Sequence, residues 1–174
     1  MSQPATSPTA PSAAPRVDSR APRWVGGYTF VIALAALVVA LLTPIESTLL
    51  GRVLSAEFIL VFVLWLSFGA GTIWGNAAHP FAAFYRRVVQ PRLSKPIPTE
   101  DARPPRFALG VGFALTTAGL VLHAFGVPYG LAIAAAFVVI ASFLQAFVGY
   151  CLGCQVYLLL ARAGLIRPRT PLAA

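Results

Sequence analysis

The sequence predicts an all-α integral membrane protein, a four-helix bundle made of two tandem transmembrane hairpins with both termini in the cytoplasm. Three observations predict it. Of 174 residues 58% are hydrophobic and only 10% charged, with a mean hydropathy of +0.79, whereas a soluble domain carries charge on about a quarter of its residues to form a wetted surface. Four apolar runs reach the roughly 20 residues needed to cross a hydrocarbon core. Twelve of the thirteen Lys and Arg residues fall in alternate connections, which places them on one side of the membrane.

Residues 1–16 are Pro, Ala, Ser and Thr in low-complexity order, a composition that cannot bury a core, and are expected to be disordered. The four-span membrane domain then occupies 17–166. Its first span covers about 24–43; the stretch is too long, starts too late and lacks the small-residue cleavage pattern of a signal peptide, so it is expected to be retained. The second, about 57–77, contains the unbroken apolar run from Phe58 to Trp65. Residues 80–90 alternate Phe81, Phe84, Tyr85, Val88 and Val89 with Arg86 and Arg87, an amphipathic pattern for a segment lying in the interface, started by Pro80 and stopped by Pro91. Residues 91–106 are proline-rich and are expected to be irregular. The third span covers about 107–126. The fourth stays apolar over about 130–160, longer than the hydrocarbon core at about 1.5 Å per residue, so it must tilt, bend or protrude.

Orientation follows from charge. Arg16, Arg20 and Arg23 precede span one; Arg86, Arg87, Arg92, Lys95, Arg103 and Arg106 lie between spans two and three; Arg162, Arg167 and Arg169 follow span four. The other side has Arg52 with Glu46 and Glu57. The positive-inside rule makes the basic side cytoplasmic, in a cell membrane crossed four times. The net charge of +8 and pI near 10.5 do not indicate a nucleic-acid partner, because the charges flank apolar runs, where arginines snorkel to lipid phosphates.

An internal repeat accompanies these spans. Asp18, Arg20, Pro22, Arg23 and Trp24 precede span one, and Asp101, Arg103, Pro105, Arg106 and Phe107 precede span three, both in the pattern D-x-R-x-P-R-aromatic. Each half ends in a Pro-Arg pair, Pro91-Arg92 and Pro168-Arg169. Two spans per unit make both copies point the same way, a parallel repeat about an axis along the membrane normal. Small residues such as Gly69, Gly71, Gly112, Gly119 and Gly153 let the helices approach closely.

The candidate chemistry lies in the only two cysteines, Cys151 and Cys154, in a C-x-G-C cluster. On a regular helix, residues three apart share a face with Cα atoms roughly 5 Å apart, within disulfide range. Such a pair can cycle between dithiol and disulfide, carry sulfur, supply two ligands to a soft metal, or simply pack as small apolar side chains. A permanent structural disulfide is not expected on a reducing cytoplasmic side. His79, at a comparable depth, reads first as a polar cap before Pro80, and otherwise as a base that lowers a thiol pKa or as a third metal ligand. His123 reads as an interfacial residue at the outer edge, and Gln145 as a hydrogen-bonding partner for another helix or a cavity-lining group. No carboxylate falls mid-span, since Glu46 and Glu57 sit at the outer boundary, and neither a phosphate-binding glycine loop nor a zinc-hydrolase pattern is present.

The D-x-R-x-P-R motif, the stretch from Phe84 to Arg92, the segment Glu100 to Ala108 and the C-x-G-C-x-x-Y sequence ending at Tyr157 together resemble a bacterial membrane family, domain of unknown function 4395, over about residues 17–162. The resemblance implies a neighbourhood of thioredoxin-like and sulfur-transfer proteins, which fits a thiol role for Cys151 and Cys154. Three functions are therefore expected to compete: thiol redox or sulfur transfer with a thioredoxin-like or sulfur-transfer partner on the cytoplasmic side; a non-enzymatic membrane assembly or anchoring component; and a metal site of Cys151, Cys154 and His79. The lipid bilayer is a partner in all three. The residues indicate no cofactor and no substrate.

Overall fold

In a bilayer each backbone N–H and C=O must be satisfied within its own segment, so long apolar runs are forced into helices. The computed structural model describes residues 16–93 and 99–166. In chain order, strand β1 (Arg16–Asp18) leads into helix α1 (Ala21–Leu42). A short α2 (Leu49–Leu54) precedes α3 (Ala56–Ile73). Next come a 3-10 turn, Asn76–Ala78, and α4 (Pro80–Phe84), prolonged by a π turn, Tyr85–Val89. Strand β2 (Thr99–Asp101) leads into α5 (Arg103–Ala124), α6 (Gly130–Phe143) runs on through a second π turn, Leu144–Val148, and α7 (Leu152–Arg162) follows a break.

Four of these helical stretches are long and apolar enough to cross a membrane: α1, α3, α5 and the continuous run Gly130–Val148. They form a ring in which α1 and α5 each pack against both α3 and α6, leaving α1 and α5 at opposite corners. The interior is filled by Ala33, Ala36, Val61, Leu64, Leu131 and Val138, while Val31, Leu66, Val121 and Ile133 face outward. Since lipid is as apolar as these side chains, the ring is held by close packing and interhelical hydrogen bonds rather than by water exclusion. Gly119 illustrates the fit: a Cβ there would lie 2.5 Å from that of Ala134. Trp65 adds a bond from its indole nitrogen to Thr117 Oγ1, 2.7 Å across the α3–α5 contact.

The starts of α1 and α5 share one end of the ring with the ends of α3 and α6. There β1 and β2 pair antiparallel, Arg16 opposite Asp101, Val17 opposite Glu100 and Asp18 opposite Thr99. The strands belong to the repeated motif, and the same turn follows each: Asp18 Oδ1 accepts from Arg20 N at 2.9 Å, and Asp101 Oδ1 accepts from Arg103 N at 3.0 Å. Both turns release helices of 22 residues with proline in the first turn, where its missing N–H is not needed. Two short strands thus qualify the all-α expectation. They also correct the expected irregularity of 91–106, because β2 and the first turn of α5 lie inside it. The expected tail falls outside the described residues but for Arg16, which is in β1; Lys95, Arg167 and Arg169 are outside them too.

The expected interfacial segment is helical, with Arg86 and Arg87 exposed and Tyr85 fully buried. Tyr85 Oη donates to Asp18 Oδ2 at 2.9 Å and Gln90 Nε2 to the same oxygen at 3.1 Å, so one carboxylate joins the α4 extension to the strand pair. Burial alone raises the Asp18 pKa, but hydrogen bonds from Arg20, Tyr85 and Gln90 outweigh it and hold the carboxyl below its usual value. Tyr85 is pushed up to about 12 by burial and by the neighbouring Asp18.

Two outcomes follow. Asp18→Ala removes the carboxylate that the buried Tyr85 hydroxyl and Gln90 donate to and destabilises the chain by about 1–3 kcal/mol, read as a lowered melting midpoint in detergent. Because the folded carboxyl titrates below its unfolded value of 3.8, the Asp18 contribution is complete above that pH and is lost as pH falls through the folded pKa; Asp18→Asn removes that acid sensitivity.

Candidate functional site

At the strand-pair end both returning helices stop at a glycine in the left-handed region, Gly75 at φ +94° after α3 and Gly149 at φ +76° after the π turn. A side chain is strained at such angles, and after each break the chain starts a new helix within a few residues. His79 is the N-cap of α4, and Cys151 is the N-cap of α7. The fourth apolar stretch is therefore not one helix from 130 to 160. It is a span that ends at Val148 and a separate amphipathic helix that docks on α5.

Cys151 and Cys154 thus straddle a helix start rather than sharing the face of a regular helix. Their sulfurs are joined as a disulfide, with Cα atoms 5.2 Å apart. Cys151 Sγ also accepts a hydrogen bond from Cys154 N at 3.3 Å, the capping geometry usually supplied by Ser or Asp. Gly153 sets the docking: a Cβ on it would stand 2.5 Å from Ala108 Cβ and 2.7 Å from Ala108 Cα. The C-x-G-C glycine is therefore a contact requirement, and the Phe107 and Tyr157 rings, 5.7 Å apart, extend the same contact.

Between the interrupted helices lies a cavity of about 620 Å³. Val25, Phe68, Leu109, Leu115, Val138 and Val156 supply apolar wall; Thr29, Asn76, His79, Gln145 and Cys151 supply the polar groups, and Asp18 and Gln90 line its strand-pair end. His79 is 1% exposed, its ring 5.5 Å from that of Phe81 and 6.1 Å from that of Phe68. It does not cap α4 as expected: its side chain makes no capping bond, and neither ring nitrogen has a protein partner. Burial pushes its pKa down to about 4, so the ring is neutral near pH 7. Thr29 Oγ1 and Asn76 Oδ1 are likewise buried without a protein partner. Asn76 Nδ2 is committed to Ala102 O at 2.9 Å, and Gln145 Nε2 bonds Pro22 O on α1 at 3.0 Å, as expected of an interhelical glutamine that also lines a cavity.

The structure brings His79 and Cys151 to one cavity wall. Among the described residues, however, no group of three or more His, Cys, Asp or Glu is placed to hold a metal ion, so Cys151, Cys154 and His79 do not form a ligand set. His123 is not the interfacial residue expected: it is buried at the opposite end, its Nε2 3.8 Å from Glu57 Oε1 and 3.4 Å from Ser55 Oγ. Thr29, Asn76 and Asp18 were not among the expected site residues, although each is a polar side chain at or within the edge of an apolar run, which is the available signal.

A family model described as a domain of unknown function, DUF4395, matches residues 17–162. No curated protein and no solved structure matches the chain.

Gly153→Val is expected to push α7 off α5, costing about 1–3 kcal/mol by overpacking and making α7 susceptible to limited proteolysis that leaves the wild type intact. For His79 the folded pKa of about 4 lies below the ordinary 6.5. Its contribution to stability is therefore full above about pH 6.5 and is lost as pH falls towards 4. A His79→Leu chain melts with a flatter pH dependence over that window.

Proposed function

We propose, from the premise that this chain belongs to the domain-of-unknown-function family DUF4395, that it is a multi-pass membrane protein whose Cys151 and Cys154 carry out thiol–disulfide exchange or sulfur transfer with a soluble partner. The observation that carries the reading is the cap: Cys151 is the N-cap of α7 with its sulfur accepting Cys154 N–H. In the dithiol form that N–H and the positive end of the helix favour a thiolate on Cys151, the nucleophilic form of cysteine. Cys154, already at bonding distance, is then the resolving thiol. The exchange balances simply. Cys151 thiolate attacks a partner disulfide to give a mixed disulfide, and Cys154 then attacks the Cys151 sulfur, so the internal S–S bond forms and the partner leaves as a dithiol with the electron pair. In reverse, a partner dithiol attacks the internal S–S bond, returns Cys151 and Cys154 to thiols and leaves as a disulfide, which is the direction that delivers electrons to this chain.

The positive-inside pattern supports a cytoplasmic location for both termini and for the cysteine end. A thioredoxin-like or sulfur-transfer protein on that side is the fitting partner, and its reducing compartment keeps the disulfide turning over. The parallel repeat is supported by the matched Asp turns and the equal helices. The register adds to this: exchanging Asp18 with Asp101, Val17 with Glu100 and Arg16 with Thr99 swaps the two outer pairs and maps the central one onto itself.

A second reading, an assembly or anchoring component, draws on α7, where Leu152, Val156 and Leu159 form an exposed apolar stripe. The two readings separate on Cys151→Ser, Cys154→Ser, which abolishes exchange and leaves an assembly role intact. In cells, acid quenching followed by mass-tag alkylation is expected to show a mixture of dithiol and disulfide that shifts with added oxidant. In the reduced protein Cys151 is expected to alkylate several-fold faster than Cys154 at neutral pH. Two thiols that stay reduced under oxidant would end the thiol reading.

A further inference from the structure

Four buried polar atoms without a protein partner, Thr29 Oγ1, Asn76 Oδ1 and both ring nitrogens of His79, all belong to residues lining one cavity. Leaving a buried polar group unpaired costs about 1–3 kcal/mol each, so their collection around a single space points to a ligand that completes them. Their chemistry narrows it. A neutral His79 ring offers one donor and one acceptor, the Thr29 hydroxyl offers both, and Asn76, whose amide nitrogen is already committed, offers its carbonyl oxygen. Such a set donates to carbonyl oxygens and accepts from hydroxyls.

The surroundings narrow it further. The walls come from the membrane-spanning segments of α1, α3, α5 and α6, and the exposed arginines that line the cavity, Arg16 and Arg86, flank or follow those spans. The volume suits a ring head group with the beginning of a tail, within the usual range for small-molecule sites. Cys151, half of the disulfide, stands in the wall.

We propose that this cavity binds a lipophilic quinone, held through its ring oxygens by Thr29 and His79, with Asn76 Oδ1 accepting from the quinol form, and that the quinone exchanges two electrons with the Cys151–Cys154 pair. The inference rests on the thiol–disulfide reading above and names the membrane-side partner of the same cysteines. The step balances: two S–H bonds break, one S–S bond forms, and the quinone takes the electron pair and both protons, one on each oxygen, to become a quinol. Thr29 and His79 donate to the quinone carbonyls, and all three side chains can accept from the quinol hydroxyls. Electrons thereby pass from a soluble thiol partner at the strand-pair end to a carrier that dissolves in the bilayer.

The test uses the purified full-length chain in detergent, reduced and desalted without air, with a decyl-tailed benzoquinone as probe. Loss of quinone absorbance is expected to reach one equivalent of quinol per chain. Cys154→Ser protein, altered outside the cavity wall, is expected to bind the oxidised probe within about twofold of wild type and to reduce none. Thr29→Val and His79→Leu are each expected to weaken binding about five- to tenfold; the first is nearly isosteric, so a folding failure of the second leaves the assignment testable. Undetectable binding, or binding unchanged in both cavity variants, overturns the quinone site. Binding without reduction, in a chain whose cysteines still exchange with dithiothreitol, overturns the electron transfer and spares the thiol reading. Cysteines that exchange with neither thiol nor quinone bring down both.

Discussion

A helix that ends inside an apolar bundle leaves its last carbonyls without donors, and much of this structure is organised around supplying them. Arg106, at the start of α5, donates to Thr72 O and Ile73 O at the end of α3, each at 2.9 Å. The Arg23 guanidinium, at the start of α1, lies against Gly149 where the fourth span stops, its Cζ 3.8 Å from the place a Cβ would take. At the opposite end Arg52 reaches Ala124 O at 2.7 Å, closing the last turn of α5, and bonds Glu46 O and Ser47 O as well. At the strand-pair end, the finishing helix of each hairpin is met by an arginine from the entrance of the other hairpin. That crossing holds the four spans in one ring more specifically than apolar contact with lipid-like side chains does.

The cavity follows from the same constraint. Spans that end early at Gly75 and Gly149 leave a space beneath the strand pair that α4 and α7 roof from the side. The chain restarts at His79 and Cys151, so the two N-cap residues are brought to the rim of that space by backbone geometry. The candidate site therefore depends on breaks in regular structure, with the packed ring as their support.

The four long apolar helices, the approximate bounds of α1 and α3, the helix that Pro80 starts and the cysteine separation were all legible in the sequence, because hydropathy and period set them directly. The break at Gly149 was not. An apolar run of 31 residues reads as one long helix, and the signals against it, Gly149 and Gly153 with a cysteine between, read equally as helix-packing glycines. The strand pair was hidden for a different reason: Asp18 and Asp101 were visible as a repeat, but three-residue strands carry no usable periodicity, and proline around 104–105 suggested a loop. The cavity lay beyond reach because Thr29, Asn76 and His79 are neighbours only through the ring of α1, α3, α5 and α6. His123 shows the limit of depth arguments: it lies at the end opposite the strand pair, and its burial beside Glu57 comes from packing that hydropathy does not encode.

The register of β1 and β2 is one that a strand can make with a second copy of itself. A single hairpin carrying this entrance motif could therefore close a two-fold pair with an identical chain, using one surface twice. Joining two such units in one polypeptide keeps the closure and releases the halves from identity. The two helix restarts then need not match, and here one begins at an imidazole, His79, and the other at a sulfur, Cys151, both lining a single cavity.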